Sequence, residues 1–263
     1  MDQRARRVWR GEPLIVRKGD QFYTLPVGWA LSGSGSYEWQ NKLEDRAFSH
    51  GSDMTGDGKI KGRQLEVSFS MRGATENEHD EMLNLAYQVF AQTDYDLFCG
   101  RPDRLYHVAG ISKIKHSFQD GYKQRWSEIT VTLLLADPFR YEAQSAEQEF
   151  VFTGETQQAE MIVHNEGSAD TPLTFTFIPN VSMAQIVVYH VETEEQMRLS
   201  DALLTAPAVL TVNTKDGTVW RGTANSINSF SGQFLSAAAG TNHFLYTGSA
   251  GTVRISFTNR WFI

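Results

Sequence analysis

One cysteine, Cys99, stands in 263 residues. No disulfide can close within the chain, and no thiolate cage can hold a metal. A catalytic thiol needs a neighbouring base. None is evident around YDLFC, so Cys99 reads as a small buried hydrophobe. No apolar run approaches the ~20 residues of a membrane helix, and no membrane insertion is expected. The opening MDQRARRVWRGEP carries charge and no apolar run, so it does not read as a signal peptide. The chain is therefore expected to be made in the cytosol, and to stay soluble or be built there into something larger. The seven histidines form no H-x-x-x-H or H-x-H pair, the close spacing that two-His metal sites favour. No G-x-S-x-G elbow is present. Gly33-Ser34-Gly35-Ser36 has neither the following helix nor the Lys-Ser/Thr pair of a phosphate loop. Positive charge is short as well: 24 basic against 31 acidic residues leave −7, which argues against nucleic acid as a partner for the whole surface. The expected catalytic, cofactor-binding and metal-binding residues are therefore none, and the protein is not expected to be an enzyme.

Hydrophobic residues at 41 % and charged residues at 21 % give an ordinary globular balance. The length suits one large core or two ordinary ones. A single amphipathic helix is predicted, over Thr75–Gln92. Its capping box pairs Thr75 with the Glu78 amide, and Glu78 with the Thr75 amide. Glu76, Glu78, Asp80 and Glu81 crowd the first turns, where the helix dipole favours negative charge. With His79 they read as a solvated helix start. Met82, Leu83, Ala86, Val89 and Phe90 recur at steps of three and four and build one apolar face.

The rest reads as strands and turns. Leu14–Arg17 and Gln21–Pro26 form an opening hairpin. Tyr37–Gln40 is a short strand. His50–Gln64 is a Gly-rich loop; Asp53, Thr55, Asp57 and Gly58 imitate the start of a calcium loop, but Gln64 stands where a bidentate Glu is needed. Arg63–Gly73 alternates cleanly, with Leu65, Val67, Phe69 and Met71 on one face. Tyr95–Gly100 is another strand. Leu105–Phe118 and Lys123–Leu135 read as one long hairpin around Asp120-Gly121, with Lys113, Lys115 and His116 near its tip. The helix is a lid for one face of this sheet.

Asp137-Pro138 breaks the pattern, and the polar run Glu142–Glu149 follows. Two domains are expected, 1–145 and 146–263. In the second, short strands recur about every ten residues, as in a sandwich of about eight strands in two sheets with no second helix. Glu194-Glu195 sits beside a turn and reads as solvated. Trp9, Trp29, Trp39, Trp126, Trp220 and Trp261 keep a second reading open: a carbohydrate-binding or receptor-binding β-sandwich using aromatic platforms. A hydrolase built on facing carboxylates is the third.

Several stretches resemble the distal tail protein (Dit) family of long, non-contractile-tailed bacteriophages. They are GRQLEVSFSMRG leading into the helix, LLLADPFRY (Leu133–Tyr141), NEGSADTPLTFTFIP (Asn165–Pro179), VLTVNTKDGTVW (Val209–Trp220), and FLSAAAGTNHFLYTGSAGTVRISFTNRWF (Phe234–Phe262) with its G-x-N turn at Gly240 and Asn242. The resemblance implies a mostly β protein. A strand-and-helix "belt" domain with a long hairpin forms a homo-oligomeric ring, hexameric in the family. A galectin-like β-sandwich follows and points outward. The implied place is the virion, at the distal end of the tail, after assembly in the host cytoplasm. The implied partners are other copies of the chain, the tail tube protein, the tail-tip hub and tape measure proteins, and in some relatives receptor-binding proteins. DNA would pass through the ring without specific binding, which suits an acidic chain. On that reading the helix stiffens the outer face of its sheet, and the Leu105–Leu135 hairpin pairs between subunits. No carbohydrate module is inserted between the domains, and the first 35 residues match no part of the family pattern.

Overall fold

The computed structural model describes residues 13–25 and 28–263. Arg4, Arg6, Arg7, Trp9, Arg10 and Pro26 lie outside the described residues. The chain divides into two compact units. One runs to Tyr141 and takes in Phe262–Ile263; the other is Glu142–Trp261. The division thus falls at Tyr141/Glu142, a few residues ahead of the expected boundary, and the last two residues return to the first unit.

The first unit opens with the hairpin β1 (Leu14–Lys18) and β2 (Gln21–Leu25), then β3 (Trp29–Ser32). A separate pair follows, β4 (Trp39–Asp45) with β5 (Ser52–Ile60). Next come β6 (Arg63–Arg72), helix α1 (Glu76–Phe90), β7 (Tyr95–Cys99), β8 (Arg104–Val108), β9 (Gly110–Phe118), β10 (Trp126–Leu135) and β11 (Arg140–Glu142). One sheet runs in the order β2-β1-β7-β8-β11; the other is β3-β6-β10-β9. Alternation decides which faces meet. Leu65, Val67, Phe69 and Met71 of β6 and Ile129, Val131, Leu133 and Leu135 of β10 join Leu14, Val16, Leu97 and Tyr106 in one core.

Helix α1 closes this core. The Glu78 N–H donates to Thr75 Oγ1 (3.2 Å) as the cap requires. Glu78 itself accepts from the Ala74 N–H (2.7 Å), one residue earlier than expected. Leu83, Ala86, Val89 and Phe90 are buried, and the Phe90 ring lies 5.7 Å from Phe69. Because Phe69 is on the core face of β6, the helix lies on the inner face of its sheet, not the outer one. The outer face is polar, with Ser68 Oγ and Thr130 Oγ1 3.2 Å apart. His79 is not solvated either: it is fully buried, its Nε2 2.9 Å from Ser127 Oγ. Positions 79, 83, 86 and 90 form one stripe of the helix, so His79 continues the apolar face toward its N-terminus.

Three more expectations change here. The long first arm of the Leu105–Leu135 hairpin is two strands in different sheets, hinged at Ala109. Its N–H donates to Leu134 O (2.9 Å), and its carbonyl accepts from the Asp94 N–H (3.3 Å). The Asp120-Gly121 turn is a longer connection between β9 and β10, with positive φ at Gly121, Lys123 and Gln124. His50–Gln64 is not a loop, since β5 occupies most of it.

The second unit is a sandwich. It runs β12 (Ala146–Phe152), β13 (Thr156–Asn165), β14 (Thr171–Pro179), β15 (Gln185–His190), β16 (Glu195–Ser200), β17 (Leu210–Asn213), β18 (Thr218–Arg221), β19 (Ala224–Asn225), β20 (Phe230–Gly232), β21 (Ser236–Ala237), β22 (Gly240–Gly248), β23 (Gly251–Phe257) and β24 (Arg260–Trp261). A single 3-10 turn, Ile227–Ser229, interrupts the strands. One sheet is β12-β23-β14-β17-β18-β19 with β21 beside β14; the other is β13-β22-β15-β16-β20. Phe175, Phe177, Val212, Val253 and Ile255 from the first face Met161, Val163, Val188, Met197 and Phe244 from the second. The polar run after Glu142 is therefore mostly strand: β12 pairs with β23 from Ala146↔Phe257 onward.

Candidate functional site

The β4–β5 pair is the first unit's least covered element. Leu43 lies opposite Met54, and Lys42 opposite Thr55. Opposed residues share a face, so Leu43 and Met54 stand together on one side of the ribbon. Glu44 and Asp53 share the other, where Asp53 pairs with Arg46 at 2.6 Å. Leu43 is 74 % exposed and Met54 71 %, and Phe48 in the connecting turn is wholly exposed. Gly56 has φ +128, and a Cβ there would sit 2.1 Å from Gln40 O, so the bulge beside Asn41 requires glycine. An isolated two-stranded ribbon is marginal in water. This one carries an apolar side that its own unit leaves in solvent.

The polar clusters elsewhere are structural. Asp96 accepts from Arg17 Nη2 (2.6 Å) and contacts His107 Nδ1 (2.5 Å). Burial would raise its carboxyl, but hydrogen bonds and charge from His107 and Arg17 outweigh that and hold its pKa below the ordinary value. Asp96 and His107 border a cleft of about 280 Å³ with Asp94, Tyr95, Ala136 and Asp137. Asp137 is engaged by its own turn, accepting from the Phe139 N–H and the Tyr141 hydroxyl. Cys99 is buried, and burial pushes its thiol up to about 12, the reverse of an activated nucleophile. His79 and Ser127 are both fully buried, so their contact faces no substrate. Among the described residues, no group of three or more His, Cys, Asp or Glu is placed to hold a metal. Asp57 lies 3.7 Å from Lys59 Nζ within β5, on a strand rather than a calcium loop. Lys113, Lys115 and His116 lie along β9, the edge strand of its sheet.

In the second unit, Glu192 ties the turn after β15 to β22. It accepts from the His243 N–H (3.0 Å) and His243 Nδ1 (2.5 Å), and lies 3.1 Å from His190 Nε2. Burial would raise the Glu192 carboxyl; the His243 hydrogen bonds outweigh it and lower the pKa. The bond to Glu192 raises the His243 imidazole. Trp220 is 41 % exposed, opposite Thr211 and Asn225, whereas Trp29 is core.

Two of the stretches carrying the family resemblance hold asparagines that fasten the backbone. Asn165 Nδ2 donates to the carbonyls of Ala169 and Ala237 (3.0 Å each), and its Oδ1 accepts from the Gly167 N–H (2.9 Å). Gly167 lies so close to β24 that a Cβ would meet Arg260 O at 2.2 Å. Asn242 Oδ1 accepts from the Ala238 N–H (2.8 Å), while its Nδ2 donates to the carbonyls of Ala238 (2.9 Å) and Gly240 (3.0 Å). Buried main-chain groups need partners, and these two asparagines supply them where strands are too short to do so. Sequence reasoning found the motifs but missed the ribbon, since no buried face marks it.

Residues 166–261 match the family model described as "Siphovirus-type tail component, C-terminal domain". No curated protein sequence matches the chain. Among solved structures, the chain is similar to SPP1 Dit (gp 19.1), described as "a paradigm of hub adsorption apparatus in Gram-positive infecting phages". The TM-score is 0.66 at 15 % identity, over 88 % of this chain and 91 % of that one. The phage P2 baseplate in its activated conformation with Ca also aligns, at TM-score 0.47 and 9 % identity, over 94 % and 97 % of the two chains. Residues 166–261 thus match the model of a siphovirus-type tail component's C-terminal domain, and the chain shares the fold of SPP1 Dit.

Proposed function

We propose that this protein is a non-catalytic structural component of the virion, a homo-oligomeric adaptor ring at the distal end of a phage tail, assembled in the host cytoplasm. The ring joins the tail tube protein to the tail-tip hub and tape measure proteins. DNA passes through it without specific binding, and the C-terminal, galectin-like sandwich helps hold receptor-binding proteins. Six copies follow from the family resemblance alone. The observation that carries this reading is the β4–β5 ribbon, whose Leu43, Met54 and Phe48 stay in solvent on a unit whose core is otherwise closed. Exposed apolar side chains grouped on one element mark association. The edge strand β9 supports it, because an unpaired edge invites a neighbouring strand. It replaces the whole Leu105–Leu135 hairpin as the pairing candidate, since β10 already lies between β6 and β9.

Native mass spectrometry with light scattering at micromolar concentration tests the proposal. The expected result is a closed oligomer, reduced to monomer by Leu43→Asp with Met54→Asp, with no change in melting temperature. A chain that stays monomeric at every concentration, with no rings by negative stain, rejects it. Trp220 keeps a second reading alive, glycan binding on the outer face of the β14 sheet. Saturable glycan-array binding lost in Trp220→Ala supports that reading; a flat array rejects it.

A further inference from the structure

The β4–β5 ribbon has no core of its own, so whatever fixes it must act at its two ends. Both ends meet in one stack within the first unit. Tyr37 stands two residues ahead of β4, and Arg63 opens β6 just after β5. The Arg63 guanidinium lies 4.2 Å over the Tyr37 ring and 5.8 Å from the Tyr106 ring. Its Nη1 donates to the carbonyl of Ser34 (2.7 Å), in the loop leading to Tyr37. The Lys61 N–H donates to Glu38 O (2.9 Å), closing the base of the ribbon.

The far side of this stack is made by the end of the sequence. The Tyr37 hydroxyl donates to Phe262 O. The Phe262 ring meets the Tyr37 ring edge-to-face at 5.3 Å, and Phe139 packs against Phe262 at 5.5 Å. Arg104 Nη1 donates to Ile263 O (3.3 Å), which anchors the last residue to β8. Residues more than two hundred positions from the ribbon thus close its base.

We infer that Phe262 is the positioning residue of the β4–β5 ribbon: by clamping Tyr37 against Arg63 it holds the ribbon ready for association. Edge-to-face aromatic contacts depend on geometry, so a ring at 262 is required, not merely an apolar volume. The bearing of this lock on assembly rests on the ring reading above. The lock itself does not.

The test uses the full-length chain at a dilution where it is monomeric, with peptide-resolved amide exchange. Phe262→Ala is expected to speed exchange roughly tenfold across residues 39–60, the scale of one lost aromatic contact. Peptides of β6, β10 and the second unit keep their wild-type rates. Phe262→Tyr, which restores the ring, is expected to restore protection. Unchanged exchange at 39–60 in Phe262→Ala overturns the inference. So does uniform acceleration across the first unit, which would make Phe262 an ordinary core residue. Light scattering separates the two ideas. Fast exchange with the oligomer intact keeps the lock and removes the ribbon from the interface. Fast exchange with assembly shifted to higher concentration supports both.

Discussion

The two units solve the problem of uncovered backbone and side chains in opposite ways. The second closes on itself. Where its strands are too short to pair, Asn165 and Asn242 reach in and satisfy the exposed carbonyls and amides. The first unit closes its core with a helix, yet leaves β4 and β5 in solvent with Leu43, Met54 and Phe48 bare. On the proposed reading, that ribbon is the surface that association covers.

Three changes probe that contrast. The largest effect is expected from Val89→Asp, which buries a charge where the wild-type side chain is 1 % exposed. It should lower first-unit stability by about 4 kcal/mol and abolish assembly with it. In differential scanning calorimetry the second unit's transition should not move; if both transitions fall together, the units do not unfold separately.

Asn242→Ala is the converse. It strips partners from the Ala238 amide and from the carbonyls of Ala238 and Gly240, in a site with no exposure. The second transition should fall by about 3 kcal/mol, with assembly through the first unit retained.

The smallest effect is a pH dependence of the second unit. His243 has its pKa raised from 6.5 by the bond to Glu192. Its contribution is complete below pH 6.5 and is lost as pH rises through the higher folded value. Glu192 has its pKa lowered from 4.5, so its contribution is complete above that pH and is lost as pH falls through the lower folded value. The second transition should therefore be highest between these two values and decline slightly toward pH 9. His243→Gln should flatten the alkaline side. A profile that climbs toward pH 9 contradicts the assignment.

Strands with one buried face were legible in the sequence. β6 alternates, and its limits fall within a residue of what alternation indicates. What stayed hidden lacks that signal for physical reasons. β4 and β5 bury neither face, so nothing selects for alternation, and the Gly, Asp and Thr content of β5 resembles a loop. The break at Ala109 is masked because neither a proline nor an Asp-Gly or Asn-Gly turn marks it. One residue bonded to both Leu134 and Asp94 carries the chain from one sheet to the other. His79 was legible in spacing but not in chemistry, since an imidazole among acidic residues reads as solvated. The exposed apolar side of the ribbon was not legible, because it is defined by what fails to cover it.

The lone cysteine gives the first unit a native clock. Cys99 lies in that unit's core, and its thiol pKa is pushed up to about 12 by burial. A thiol reagent in neutral buffer therefore reaches a reactive sulfur only when that core opens. The modification rate reports the opening of one half of the molecule without a label, a mutation or interference from the other half, free in solution or locked in a particle.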